Sequence, residues 1–95
     1  MKFLEKYDFS REEINDFNLG CSPKIIGEII KYSRLVEENL KYLSALGINN
    51  FKEIFVNYPD MFLIDHSNFI NIFAKYDKNE LIEKLNANYK MAEYL

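Results

Sequence analysis

The fold of this chain is decided between Ser22 and Gly47, where the sequence reads SPKIIGEIIKYSRLVEENLKYLSALG. Apolar side chains recur there every three or four residues without losing phase: Ile25, Ile29, Tyr32, Val36, Leu40 and Leu43. That spacing is typical of one face of an α-helix. Ser22 is a favoured N-cap, Pro23 suits the first helical position, and Gly47 suits a helix end. We therefore predict one long central helix from Pro23 to about Leu46, with a second helix starting at Ser33 as the alternative.

Helix starts recur on both sides of this stretch. Ser10-Arg11-Glu12-Glu13 has the pattern of a capping box, and the helix that it begins is expected to end near Gly20 in the left-handed conformation. Further capping residues are Asn50, Asp65 or Ser67, and Asp77. No hairpin turn and no sustained period-two alternation occurs. The sequence predicts an all-α fold, either a compact bundle or a short helical-repeat array, with five to six helices and a C-terminal helix over 78–95.

The composition is that of a chain with one hydrophobic core. Its 95 residues are 48% hydrophobic and include eight Phe and seven Tyr, so we predict a single all-helical domain over residues 1–95. Large apolar side chains at helical spacing are the expected core residues. They are Phe17, Ile25, Ile29, Val36, Leu43, Phe51, Phe55, Phe62, Phe69, Phe73 and Leu85.

Two stretches share the order of a short capped helix, a proline and a second helix. They are residues 9–47 around Pro23 and residues 46–76 around Pro59, and the prolines lie 36 residues apart. Leu46-Gly47-Ile48, a short helix, Pro59-Asp60-Met61-Phe62 and a longer helix form a pattern similar to the repeat of the mitochondrial transcription termination factors. The similarity covers about residues 9–76. It implies stacked helical repeats in a curved solenoid that binds nucleic acid, and it assigns no binding residue.

Cysteine usage and hydropathy bear on the compartment. Cys21 is the only cysteine, so the chain can form no internal disulfide and no zinc site built from several cysteines. The longest apolar run is the four residues Met61–Ile64, far below the roughly 20 residues of a spanning helix. The N-terminus has no apolar stretch typical of a secretion signal. We therefore expect a cytoplasmic protein that does not enter the membrane.

No group of residues favours catalysis or a cofactor. Asp65-His66-Ser67 has the residue types of a hydrolase triad, but adjacent residues cannot orient one another as a triad does. One histidine without a second His or Cys is also a poor transition-metal site. Glu12, Glu13 and Asp16 are explained by the favourable interaction of acidic side chains with the first turns of a helix. We expect no enzyme activity, no metal and no cofactor.

The charge balance bears on the partner. Twelve basic and fifteen acidic side chains give a net charge of −3, which disfavours nucleic acid because phosphate binding depends on Lys and Arg. Four basic residues nevertheless share one side of the predicted central helix: Lys24, Lys31, Arg34 and Lys41. We predict a non-catalytic interaction module that binds a protein partner or itself. The alternatives are a nucleic-acid-binding repeat module, with these four residues as contacts, and an acidic inhibitor of a nucleic-acid enzyme.

Overall fold

Six α-helices and three short 3₁₀ segments make up the fold in a computed structural model that describes residues 1–95. The helices are α1 (Arg11–Gly20), α2 (Pro23–Lys31), α3 (Ser33–Leu46), α4 (Phe51–Asn57), α5 (His66–Ala74) and α6 (Lys78–Ala87). The N-terminal, central and C-terminal 3₁₀ segments are Lys2–Tyr7, Pro59–Leu63 and Tyr89–Tyr94. No residue lies in a β-strand, so the prediction of an all-α fold is confirmed.

Three helix starts are capped where the sequence places capping residues. The Ser10 hydroxyl accepts the backbone N–H of Glu13 at 3.1 Å, and the Glu13 carboxylate accepts the backbone N–H of Ser10 at 2.9 Å. This is a complete capping box, which satisfies donors that a helix leaves without partners. Ser22 caps α2 and Asp77 caps α6 in the same way, by accepting an N–H from the first turn.

The single helix predicted over 23–46 is divided at Tyr32. The backbone of Tyr32 leaves the helical region (φ −109°, ψ 36°), so α2 ends at Lys31 and α3 begins at Ser33. In one straight helix the Tyr32 ring would lie on the buried face. The break leaves it 47% exposed, with Lys31 Nζ 5.3 Å from the ring centroid. The alternative start at Ser33 is therefore the observed one, and α3, with 14 residues, is the longest helix.

Other predicted helix ends also differ from the structure. The C-terminal helix predicted over 78–95 stops at Ala87, because Asn88 is extended and its side chain accepts the backbone N–H of Lys90 instead. Gly20 ends α1 without a positive φ, whereas Gly47 has a φ of 104° after α3. Asn50 precedes α4 without capping it: its Nδ2 donates to the backbone carbonyl of Leu85 in α6, and its Oδ1 accepts no hydrogen bond.

The core contains 17 buried apolar residues. All eleven predicted core residues are buried except Ile25, which is half-buried beside the core. Aromatic rings in successive contact cross the core, with neighbouring centroids 4.9 to 6.2 Å apart. In this ring chain Phe9 and Phe17 both contact Phe55, which is followed in order by Phe62, Phe69, Phe73 and Tyr42. Edge and tilted packing of this kind adds to the stabilisation from burial alone.

Asn39 is the one polar residue that is fully buried. Its amide group donates to the carbonyl oxygens of Phe62 and Ile64, both at 2.9 Å. Its Oδ1 lies 2.7 Å from Nδ1 of His66, so the imidazole donates at that nitrogen. Asn39 thereby joins α3 to the central 3₁₀ segment and to the start of α5, and satisfies carbonyls that would otherwise be buried without a donor.

Candidate interaction surface

The aromatic residues divide between the core and the surface. Seven of the eight Phe side chains are buried and none is exposed, whereas no Tyr side chain is buried. The exposed aromatic residues are Tyr32, Tyr76 and Tyr94. Tyr is favoured at protein interfaces because it combines an apolar ring with a polar tip. The exposed aromatic surface is therefore made entirely of the residue type that suits contact with another protein.

Helix α2 has three faces, which lie roughly 120° apart at about 100° per residue. Ile25 and Ile29 make the face toward the core, where Ile29 is fully buried. A second face carries the charged residues Lys24, Glu28 and Lys31. The third, which we call the outer face, consists of Pro23, Ile26, Gly27 and Ile30. Two of the three faces of α2 are therefore apolar.

The outer face of α2 is open to solvent. Ile30 is 55% exposed, Pro23 and Gly27 are exposed, and Ile26 is half-buried at the edge of the core. A surface helix ordinarily has one apolar stripe toward the core and polar residues elsewhere. A helix with apolar residues on further faces is typical of one that is covered on more than one side. The rest of the chain covers the first apolar face and part of Ile26, and it leaves Pro23, Gly27 and Ile30 exposed.

Gly27 adds a second unusual feature, because nothing in the chain requires a glycine there. It lies inside α2 without a positive φ, and an added Cβ would meet no atom within 4 Å. The Gly27→Ala variant should gain about 0.5–1 kcal/mol in the free energy of unfolding, since glycine is a poor residue for a helix interior. Urea denaturation followed by circular dichroism measures this gain.

Gly47→Ala is the matched control for that measurement. Gly47 has a φ of 104°, a conformation that alanine adopts only with strain, so this variant is expected to be less stable than the wild type. A loss of stability in Gly27→Ala would contradict the open environment assigned to Gly27.

The four basic residues predicted as contacts do not form one continuous stripe. All four, Lys24, Lys31, Arg34 and Lys41, are exposed and none is in an ion pair. The break at Tyr32 places the first two on α2 and the last two on α3. Arg34 and Lys41 share a shallow depression with Glu38 and with Glu37, which also forms an ion pair with Lys6 at 3.2 Å. The two lysines of α2 border the outer face and have Glu28 as the only charged residue between them.

A groove lies between α1, the start of α2 and the end of α4. Its volume is about 490 Å³, and Phe17, Cys21 and Val56 are among its lining residues. Glu13 and Asp16 also line it, and no basic residue does. The backbone N–H of Ser10, and then Lys52, hold the pKa of Glu13 below its usual range. The sole thiol of the chain thus lies in an open groove with two carboxylates.

A smaller cavity of about 140 Å³ lies where α6 meets the C-terminal 3₁₀ segment. Tyr76, Met91 and Tyr94, which are all exposed, line it together with Asp77, Glu80 and Lys84. Burial raises the pKa of the nearby Tyr58, and Glu93 raises it further. Charges of both signs surround this cavity, so its electrostatics favour no particular class of partner.

The residues considered for catalysis and metal binding are not brought into a common site. His66 is held by Asn39, and Asp65 and His66 lie at the start of α5. No group of three or more His, Cys, Asp or Glu side chains is placed to hold a metal ion. None of the helices has the length and apolar character needed to cross a bilayer.

Comparison with known proteins gave no match to a family model, to a curated protein or to a solved structure. The similarity to the repeat of the mitochondrial transcription termination factors stays a prediction from the residues quoted above.

Proposed function

We propose that this chain is a non-catalytic module that binds another protein, and that the outer face of α2 makes the contact. The observation that carries the proposal is the exposure of Ile30 and Gly27 on a helix whose other apolar face is already packed in the core. Contiguous exposed apolar surface marks interaction sites, and Pro23, Gly27 and Ile30 are neighbours on the outer face. The single cysteine supports a reducing compartment, which we take to be the cytoplasm.

Charge favours a protein over nucleic acid as the partner. The whole chain has a net charge of −3, and Arg34 and Lys41 have Glu37 and Glu38 beside them. Nucleic-acid affinity comes mainly from cations that displace counterions from phosphates. Lys24 and Lys31 are too few to supply that attraction, so the outer face depends on apolar contact.

Affinity capture from extracts of the source organism tests the proposal. Wild-type protein, the Ile30→Gln variant and the Tyr94→Gln variant are used as baits at equal concentration, and the bound proteins are quantified by mass spectrometry. Ile30→Gln should retain at least about tenfold less of a specific partner, because burial of the isoleucine supplies binding energy. Tyr94, which is 75% exposed and outside α2, is the matched control and should leave retention unchanged.

Two measurements complete the test. Both variants should unfold within about 0.5 kcal/mol of the wild type, since the substituted side chains are exposed. Duplex DNA at about 0.15 M salt should show no measurable binding to the wild type. A partner retained equally by Ile30→Gln, or tight DNA binding that weakens steeply with salt, would contradict the proposal.

A further inference from the structure

We infer that the occupant of the outer face is an amphipathic helix of a partner protein, with Asp or Glu beside its apolar stripe, that crosses α2 at Gly27. This inference rests on the proposed function and names the chemistry of the partner. Three features of α2 support it: the line of apolar residues, the glycine in its middle and the lysines along one edge.

The shape of the outer face fits a helix. Pro23, Ile26, Gly27 and Ile30 follow the i, i+3, i+4, i+7 spacing, which produces a straight apolar row about 10 Å long. Helix recognition uses such rows as anchors. An extended peptide would need the free edge of a β-sheet, and this fold has no strand. A proline-rich peptide would need an aromatic-lined groove, whereas this row is aliphatic.

Gly27 allows a close approach at the centre of the row. Without a Cβ, the α2 backbone is open at this point, and no side chain of the same chain fills the space. Packed helices lie about 8–10 Å apart, with the shorter distances where small residues meet. Gly27 lowers the stability of α2, and no contact within the chain requires a glycine at this position. Close packing of a partner helix against α2 would require the missing side chain of Gly27.

The bordering charges select an acidic partner. Lys24 and Lys31 are seven residues apart on the edge of the row nearest Gly27, and both are exposed without an ion pair. Glu28 lies between them but is half-buried. In a symmetric dimer with α2 antiparallel to its copy, the lysines of the two copies would meet and repel. Carboxylates on a partner of another kind would pair with these lysines.

A displayed library of helical peptides tests this inference directly. The peptides are about 20 residues long, with a fixed apolar stripe and random residues along both sides, and they are selected on the wild-type protein. Enriched sequences should have Asp or Glu along one side of the stripe. The best peptide is then synthesised, and its dissociation constant is measured by fluorescence anisotropy against four variants.

Each variant has a distinct expected result. Gly27→Ala should raise the dissociation constant at least about tenfold although it stabilises the free protein, since the methyl group separates the two helices. Ile30→Gln should raise it at least as much. The double variant Lys24→Gln and Lys31→Gln should weaken binding and flatten its salt dependence. Tyr94→Gln, the control, should change nothing.

The inference is overturned by no enrichment, by enriched sequences without acidic residues, or by binding that survives Gly27→Ala. Binding that single-stranded oligonucleotides abolish would also overturn it, in favour of a nucleic-acid surface. Its failure is distinguishable from failure of the proposed function. If the native partner is lost with Ile30→Gln while no helical peptide binds, the outer face binds a protein of another shape.

Discussion

The Phe55→Ala variant is expected to lose about 3–5 kcal/mol in the free energy of unfolding. The Phe55 ring is fully buried at the centre of the ring chain. It contacts three other rings, with centroid distances of 5.8 Å to Phe9, 5.1 Å to Phe17 and 5.2 Å to Phe62. These rings come from three different parts of the chain. They cannot all move inward, so the substitution leaves a cavity that the structure closes only in part.

That loss is large for a chain of this size, whose total stability is expected to be about 5–14 kcal/mol. Urea denaturation followed by far-ultraviolet circular dichroism measures it, since the chain has no Trp for fluorescence. Val56→Ala is the matched control, because Val56 is the next residue of α4 and is 42% exposed. Its effect should stay within about 0.5 kcal/mol. A loss below about 1 kcal/mol in Phe55→Ala would show that the ring is not enclosed.

The Asn39→Leu variant is expected to lose a similar amount, about 3–5 kcal/mol, for a different reason. Leucine keeps the branched shape of the side chain and is apolar, so the hydrophobic contribution is not reduced. The carbonyls of Phe62 and Ile64 lose their donors, and His66 loses its acceptor. A buried polar group without a partner costs about 1–3 kcal/mol.

His66→Ala separates this explanation from simple packing. That change leaves only the Asn39 Oδ1 without its partner and keeps both carbonyls satisfied, so its cost should be clearly smaller. A double variant should lose less than the sum of the two single variants, because the bond between the side chains is lost only once. Equal stability of Asn39→Leu and the wild type, in the same urea titration, would refute the role given to Asn39.

Local signals in the sequence predicted the helix starts well. Ser10 with Glu13, Ser22 with Pro23, and Asp77 act through hydrogen bonds within one turn, so three or four residues contain the information. The spacing of apolar residues predicted the core for the same reason. The spacing did not reveal the break at Tyr32. Apolar residues keep their three-to-four-residue spacing across Tyr32, although α2 ends before it and α3 begins after it.

The candidate surface was harder to predict than the core. Sequence reasoning identified Lys24 and Lys31 but not the outer face, although a second pair of isoleucines, Ile26 and Ile30, stands beside the core pair at the same spacing. Whether the rest of the chain covers a second apolar face of α2 depends on how all the helices pack. The spacing of apolar residues in the sequence does not contain that information. Asn39 also had a signal, a polar residue at helical spacing between Val36 and Leu43.

The ring chain makes the two sides of the turn at Gly47 depend on each other. Phe9 and Phe17 precede Gly47 and Phe55 follows it, so the rings from both sides of that turn share one interior. Without the segment before Gly47, the Phe55 ring would lose its contacts with Phe9 and Phe17. Without the segment after Gly47, Phe9 and Phe17 would lose the Phe55 ring that both contact. Neither part of the chain, before or after Gly47, therefore completes the interior alone. Single substitutions are tolerated most freely at positions whose side chains lie in solvent.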